Sequence, residues 1–183
     1  VGLLITGPDL VEEMEEGAFN PYGELLTAAE EREIPRAQLL AGDAFDLGKG
    51  RMVALWPEAA EKSSNENSLV LRLDYGKSVS LFTGDAGLSS EEVYAKHLDG
   101  VDLFKVSHHG SKGATGEWLL SRAQPRISVI SAGANNIYGH PTPEVLARLA
   151  AAGSDVYSTA DCGAVTLRSN ERGALSLHTQ LPP

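Results

Sequence analysis

Apolar and polar residues alternate most clearly in the middle of the chain, where they predict a hairpin. Between Ser68 and Asp74 the leucines fall on one face and the charged residues on the other, which is typical of a half-buried strand. A Tyr-Gly-Lys turn leads from it into a second apolar run, Ser78–Phe82. Further strands are predicted at Val101–Val106 and Arg126–Ser131, with helices near Ser90–His97 and at Gly116–Arg122.

The two ends of the chain continue this succession of strands and helices. Thr142 is a suitable N-cap, and Pro143 a suitable first residue, for a helix that ends at Gly153. The pattern predicts one α/β domain over residues 1–183, without repeats or an internal boundary. The other predicted elements are a helix at Gly23–Arg32 and strands at Val1–Thr6, Ala37–Ala41, Arg51–Trp56, Asp155–Ser158, Ala164–Arg168 and Ala174–His178.

Composition and charge narrow the class of protein. The 183 residues are 42% hydrophobic, and no apolar run approaches the roughly 18–20 residues that cross a bilayer. A net charge of −10 argues against a broad nucleic-acid-binding surface. The acidity is uneven, because residues 101–183 carry 7 Lys and Arg against 6 Asp and Glu. An acidic run in the first half predicts a solvated loop or helix face at Glu12, Glu13, Glu15 and Glu16.

Packing explains several residues whose types can also carry chemistry. Trp56 and Trp118 are predicted to anchor the core rather than to stack on bases, and His97 and His178 are predicted to be structural. The single cysteine, Cys162, excludes a disulfide framework. We predict it to be a small core residue on a strand.

Asp85 follows a buried apolar strand in the motif Thr-Gly-Asp. A carboxylate at a strand end can bridge two cations, because its two oxygens carry separate lone pairs. Alternatively, Asp85 caps the helix that follows by accepting a backbone N–H bond. The motif by itself favours the cap.

Two adjacent histidines, His108 and His109, follow the next predicted strand. Neighbours on an extended backbone point to opposite faces, so at most one is expected to face a site, while the other orients a loop or hydrogen-bonds to a residue of the site. The Gly-Ser pair that ends at Ser111 lets the backbone approach an anion. The competing interpretation is a core histidine beside a surface histidine. Because the pair comes one strand after Asp85, the functional and the structural interpretation are equally well supported.

His140 lies just before the helix start at Thr142 and Pro143. Free N–H groups at a helix N-terminus attract an anion, so an imidazole beside them suits phosphate binding, leaving-group protonation or metal ligation. A turn closed by a histidine–backbone hydrogen bond is the alternative. In the preceding loop, Asn135 and Asn136 suit both left-handed geometry and contact with a substrate.

Taken in order, these motifs resemble the metallo-β-lactamase-like domain of the bacterial DNA-uptake competence (ComEC) family. The resemblance covers almost the whole chain. The succession Thr-Gly-Asp, His-His-Gly-Ser and Tyr-Gly-His-Pro is highly specific, whereas each motif alone is not. The most specific parts are Leu55–Pro57, Asn65–Leu73, Leu81–Ala86, Phe104–Ser111, Val129–Glu144 and Val156–Leu167.

The resemblance implies an αββα sandwich with a divalent-metal site at one edge. Asp85 then bridges the metals, and His108 or His109 is a ligand. Related hydrolases place another histidine before the first hairpin strand, where this chain offers Asn65 and Asn67. An amide oxygen suits Mn²⁺ or Mg²⁺ better than Zn²⁺. The expected cofactor is therefore one or two divalent ions, either Zn²⁺ or Mn²⁺.

The activity that the resemblance implies is that of a nuclease, a metal-dependent phosphodiesterase that degrades the strand of incoming DNA that does not enter the cell. Its partners are DNA and the membrane-channel portion of the same polypeptide, with the domain on the extracytoplasmic side of a bacterial membrane. A free-standing hydrolase of a small substrate and a non-catalytic DNA-binding domain are the alternatives. Catalysis falls to Asp85, His109 and His140, and substrate or phosphate contacts fall to Asn67, Ser111, Asn136 and His140.

One motif that the resemblance leads us to expect does not occur in the sequence. The superfamily's principal metal motif is His-x-His-x-Asp-His, whereas the first histidine here is His97. The resemblance aligns Val1, which is not a Met, just after that motif. We therefore expect a piece of a longer domain that lacks its N-terminal part. Alone it should be inactive, because it has too few metal ligands. It should also expose apolar surface, which favours a homodimer.

Overall fold

The computed structural model describes residues 2–9 and 20–182, so the predicted acidic face at residues 12–16 lies outside the described residues. The helices are α1 (Pro21–Glu31), α2 (Leu88–Tyr94), α3 (Glu117–Ala123), α4 (Pro143–Ala151) and α5 (Thr159–Cys162). The strands are β1 (Leu4–Thr6), β2 (Arg36–Gln38), β3 (Ala44–Leu47), β4 (Gly50–Trp56), β5 (Val70–Tyr75), β6 (Ser78–Phe82), β7 (Leu103–Lys105), β8 (Ile127–Ile130), β9 (Asp155–Ser158), β10 (Val165–Ser169) and β11 (Leu175–Thr179).

A seven-stranded mixed sheet organises the fold. Its order is β3-β4-β5-β6-β7-β8-β9, antiparallel from β3 to β6 and parallel from β6 to β9. The three parallel connections run through α2, α3 and α4 in turn. The carboxyl ends of β6, β7 and β8 therefore meet at one edge, which is where open α/β sheets place ligands. The predicted α/β class is confirmed.

Two small sheets flank the large one. Strands β1 and β2 pair in parallel, and β10 and β11 form an antiparallel hairpin. The hairpin is attached to the main sheet through a hydrogen bond between the hydroxyls of Ser169 and Ser78. Every strand predicted from the sequence is present, Ser78–Phe82 and Asp155–Ser158 with the predicted bounds and the others with shifted ends, whereas β3 was missed. It is a short edge strand that a two-residue turn, Gly48 and Lys49, joins to β4, and it shows too little alternation to be recognised.

The apolar core lies between this sheet and the helices α2, α3 and α4. Trp56 is buried there as predicted, but Trp118 is 50% exposed, so its prediction as a core anchor was wrong. Helix α3 turns Leu119, Leu120 and Ala123 inward, and Trp118 lies off that stripe. No helix among the described residues is long and apolar enough to cross a membrane. The largest fully buried apolar side chains are Tyr94, Phe104, Leu81, Leu98, Leu119, Ile130 and Leu149.

Two local predictions need correction. Cys162 is buried as expected, but it ends the short helix α5 rather than lying on a strand, and its thiol donates to the carbonyl of Ser158 at 3.0 Å. The strand predicted at Val101–Val106 pairs over only three residues. The chain then enters a tight turn, Ser107–Gly110, that carries the histidine pair.

Candidate metal and phosphate site

Asp85 lies in the turn that follows β6, with its side chain 40% exposed at the sheet edge. A hydrogen bond holds this turn in place, since the backbone N–H of Asp85 donates to the hydroxyl of Ser68 at 3.0 Å. Gly84 before it adopts a positive φ of 53°, which glycine tolerates without strain. The residue at the N-cap of α2 is Gly87, and no side chain of the described residues caps that helix. The alternative interpretation of Asp85 as a helix cap is therefore wrong.

His109 faces Asp85 across the sheet edge. Its Nδ1 lies 2.7 Å from the carbonyl oxygen of Ser131, the residue directly after β8. A carbonyl can only accept, so Nδ1 carries the proton, and in the neutral ring Nε2 presents a lone pair. That Nε2 lies 3.6 Å from Oδ1 of Asp85. Two acceptors that face each other in this way need a cation or a proton between them.

The backbone of the histidine pair differs from the sequence-based expectation. His108 and His109 have φ values of 45° and 56°, in the left-handed region, so they are not on a strand and the opposite-faces argument does not hold. Their ring centroids lie 6.4 Å apart. The backbone N–H of His108 donates to the carbonyl of Gly84 at 2.9 Å, which ties this loop to the Asp85 turn. Left-handed non-glycine residues are sparse in proteins and cluster at functional sites.

His140 completes a cluster of three imidazoles. Its ring centroid lies 6.1 Å from that of His108. Burial lowers the pKa of His140, and the nearby imidazoles of His108 and His109 lower it further. Its Nδ1 is buried and has no hydrogen-bond partner among the described residues. The cluster lies against the start of α4, where the hydroxyl of Thr142 donates to the carbonyl of Gly110 at 3.3 Å instead of capping the helix.

Asn136 and Ser111 lie next to this cluster, whereas the Asn67 side chain hydrogen-bonds within its own loop. The Asn136 amide accepts from the backbone N–H of His140 at 2.9 Å and donates to its carbonyl at 2.6 Å. Among the described residues, the Ser111 hydroxyl accepts one long bond of 3.3 Å, from the N–H of Gly113. Both polar atoms of the Asn67 amide bond to the backbone of Glu61, at 2.6 and 3.0 Å, so this side chain closes its own loop.

Sequence reasoning missed Glu91, which holds the far end of the histidine loop. Its carboxylate is 1% exposed and accepts the backbone N–H bonds of Thr115 at 2.5 Å and Gly116 at 2.7 Å. Burial raises the pKa of Glu91 to about 7, against the lowering effect of those two bonds and of the Arg148 charge, while the charge of Glu66 adds to the rise. A glutamate in a polar stretch of an amphipathic helix gives no sequence signal of this role.

Sequence reasoning also missed Lys105, because a lysine inside an apolar strand looks like a solvent-facing break in the hydrophobic pattern. It is half-buried on β7, and its ammonium group donates to the carbonyl of Val106 at 3.0 Å. Burial lowers the pKa of Lys105, and the charge of Asp85 opposes that shift. Lys105 thus adds a cation close to the Asp85 turn.

The donors present fit part of a metal site. Neutral imidazole with its second nitrogen bonded to a carbonyl, as in His109, is the usual state of a histidine ligand, and Asp85 adds a carboxylate. Within residues 2–9 and 20–182, however, no three His, Cys, Asp or Glu side chains converge closely enough to hold a metal ion. The set is two donors, fewer than a stable site uses.

Two known proteins are similar in sequence to this chain. No protein-family model matches the chain. It is 34% identical over 158 residues to ComE operon protein 3 of Bacillus subtilis (strain 168), which covers 84% of this chain and 20% of that protein. It is 39% identical over 104 residues to Recombination protein 2 of Haemophilus influenzae, covering 57% of this chain and 13% of that protein. The chain thus spans a fifth or less of the length of these relatives.

Two solved structures were also matched. A protein assigned as a metal-dependent hydrolase from Parabacteroides distasonis ATCC 8503 has a TM-score of 0.47 at 12% identity, over 86% of this chain and 75% of that one. A mutant of CmlA beta-hydroxylase has a TM-score of 0.48 at 11% identity, over 84% of this chain and 37% of that one.

The mixed sheet with its helices, taken with the sequence matches, identifies a metallo-β-lactamase-like α/β domain. The domain is of the ComEC competence family, homologous to one part of those longer proteins, and the resemblance drawn from the motifs is confirmed.

Proposed function

We propose that this domain is a metal-dependent phosphodiesterase that cleaves DNA and degrades the strand that a DNA-uptake protein does not transport. It works on the extracytoplasmic side of a bacterial membrane, beside the channel portion of the same polypeptide. The observation that carries the proposal is the pair of acceptors, His109 Nε2 and Asp85 Oδ1, held 3.6 Å apart with the imidazole fixed by Ser131. The homology to ComE operon protein 3 and Recombination protein 2 supports DNA as the substrate.

Zn²⁺ or Mn²⁺, as one or two ions, is the cofactor that this donor pair suits. Such an ion polarises a phosphoryl oxygen and lowers the pKa of a bound water. Asp85 contributes negative charge, and His109 contributes a neutral nitrogen whose direction the Ser131 carbonyl sets. His108 is the second candidate ligand. In the part of the chain that the structure describes, two donors face each other, so the remaining ligands come from another part of the longer polypeptide, and the isolated chain is inactive.

The substrate phosphate is contacted from the α4 side of the site. The lowered pKa of His140 keeps its ring neutral near pH 7, so it acts as an N–H donor to a phosphate oxygen rather than as a stored proton. The Ser111 hydroxyl, which accepts one long bond from the N–H of Gly113, donates its own proton to the same phosphate. Asn136 acts by holding the His140 backbone, and Asn67 acts by shaping the loop before β5.

The test uses the longer protein that contains this domain, with and without Mn²⁺ or Zn²⁺, on single- and double-stranded DNA. Metal-dependent cleavage that Asp85→Asn abolishes supports the proposal. Hydrolysis of a small phosphodiester or lactone without any DNA cleavage favours the small-substrate hydrolase. DNA binding with no hydrolysis in any metal favours a non-catalytic domain, and either outcome overturns the nuclease proposal.

A further inference from the structure

The loop between β8 and α4 displays two large apolar side chains beside the histidine cluster. Ile137 is 91% exposed and Tyr138 is 74% exposed. The other exposed large apolar residues that the structure describes range from 38% to 57%. Two neighbouring apolar side chains exposed this fully beside a polar site are positioned to contact a ligand of that site.

The loop is braced, so the exposure is a property of a fixed shape. The Asn136 side chain crosses the base of the loop and bonds to the carbonyls of Gly133 and His140 and to the N–H of His140, at 2.6 to 2.9 Å. The backbone N–H of Asn136 donates to the Gly133 carbonyl at 3.3 Å. The tip is therefore held before any ligand arrives, which lowers the entropy cost of binding.

Tyr138 has one ring face supported and the other free. Its ring stacks on His140 with centroids 6.0 Å apart and an angle of 22° between the planes. Tyr138 also lines an open cavity of about 420 Å³, together with His109, Asn136 and His140. The cavity is therefore continuous with the proposed phosphodiester site, and its volume is in the range of small-ligand pockets.

We infer that Tyr138, with Ile137 beside it, is a stacking platform for an unpaired nucleobase next to the phosphodiester at Asp85 and His109. This inference rests on the proposed function. A single strand is the occupant because its bases offer a free π-face, whereas a base inside a duplex is stacked on both sides. Residues 101–183, which carry the histidine cluster and Tyr138, have 7 Lys and Arg against 6 Asp and Glu, so counterion-driven binding is weak there and stacking adds affinity to the phosphate contacts of His140 and Ser111.

The test measures binding in EDTA, where no cleavage occurs, with a labelled oligothymidylate and an abasic oligomer of the same length and phosphate number. The wild-type chain should bind the thymidine oligomer more tightly than the abasic one. Tyr138→Ala should remove that preference, weakening thymidine binding roughly tenfold or more while the abasic affinity stays as it was. Tyr138→Phe should keep the preference, because it keeps the ring. Trp118→Ala, which removes another exposed aromatic ring on α3, is the matched control and should change neither affinity.

Each other outcome overturns the inference in a recognisable way. Equal weakening of both oligomers by Tyr138→Ala would mean that the tyrosine only shapes the loop. A wild-type chain that binds both oligomers alike, or binds neither, has no stacking platform. Tighter binding of a duplex of the same sequence would exclude a single strand as the occupant. The proposed nuclease activity is judged separately, by metal-dependent cleavage in the longer protein, so either idea can fail while the other stands.

Discussion

Nε2 of His109 and Oδ1 of Asp85 lie 3.6 Å apart, although the two residues follow different strands and are 24 positions apart in the chain. Neither group can donate to the other while the ring is neutral, because Nδ1 already carries the proton that bonds Ser131. The parallel pairing of β6 with β7 brings the two turns to one edge, and the bond from His108 N–H to the Gly84 carbonyl locks them together.

Replacing Asp85 by asparagine should weaken the binding of Mn²⁺ or Zn²⁺ by at least about tenfold and abolish cleavage in the longer protein, since it removes the carboxylate that faces His109. The melting temperature should stay close to the wild-type value, because the side chain is 40% exposed and caps no helix. Calorimetric titration with metal and thermal unfolding measure the two effects. Asp99→Asn, at an exposed site, is the control; unchanged metal affinity in Asp85→Asn would remove Asp85 from the ligand set.

His140→Ala should lower turnover on DNA by about 10²–10³ in the longer protein, because it removes one donor to a phosphate oxygen. Metal content should remain at the wild-type level, since the Asp85 and His109 pair is untouched. Single-turnover cleavage and metal analysis on the same preparation separate the cases. Stoichiometric loss of metal would make His140 a ligand, and wild-type turnover would make it a turn residue; the exposed His97→Ala is the control.

Glu91 should make stability depend on pH. Its pKa is raised to about 7 in the fold from 4.5 in the unfolded chain, so between these values the native state holds a proton that the unfolded state releases. Stability therefore falls as pH rises through that window, by up to roughly 3 kcal/mol. In Glu91→Gln that part of the fall should vanish. Urea unfolding at several pH values across the window measures the free energy of unfolding, and Glu92→Gln at an exposed position is the control. If wild type and Glu91→Gln show parallel pH dependence, Glu91 does not titrate in this window.

Asn136→Ala should destabilise the fold by about 1–3 kcal/mol, since it leaves the carbonyl and N–H of His140 without their partners. Asn135 is exposed, so Asn135→Ala is a matched control and should be near neutral. Urea denaturation of both variants gives the comparison. If the two variants unfold together with wild type, the brace contributes nothing to the free energy of unfolding.

Local signals in the sequence were enough to predict most elements. Alternation over Ser68–Asp74 and the turn after it predicted the hairpin β5–β6, and Thr142 with Pro143 predicted the start of α4. These signals work because strand alternation and helix capping depend on neighbours a few residues away. The edge strand β3 was missed because four residues show too little alternation, and the exposed position of Trp118 was missed because it depends on which face of α3 meets the core.

The sequence by itself determined the α/β class, the order of the motifs and the family, because these follow from short-range periodicity and from residues in fixed succession. Only the tertiary structure decided how those residues meet. It turned His108 and His109 into left-handed geometry, directed His109 at Asp85 through the Ser131 carbonyl, and tied Glu91 to Thr115 and Gly116. These bonds join residues 22 to 25 positions apart, so they exist only once the parallel strands and their helices have packed.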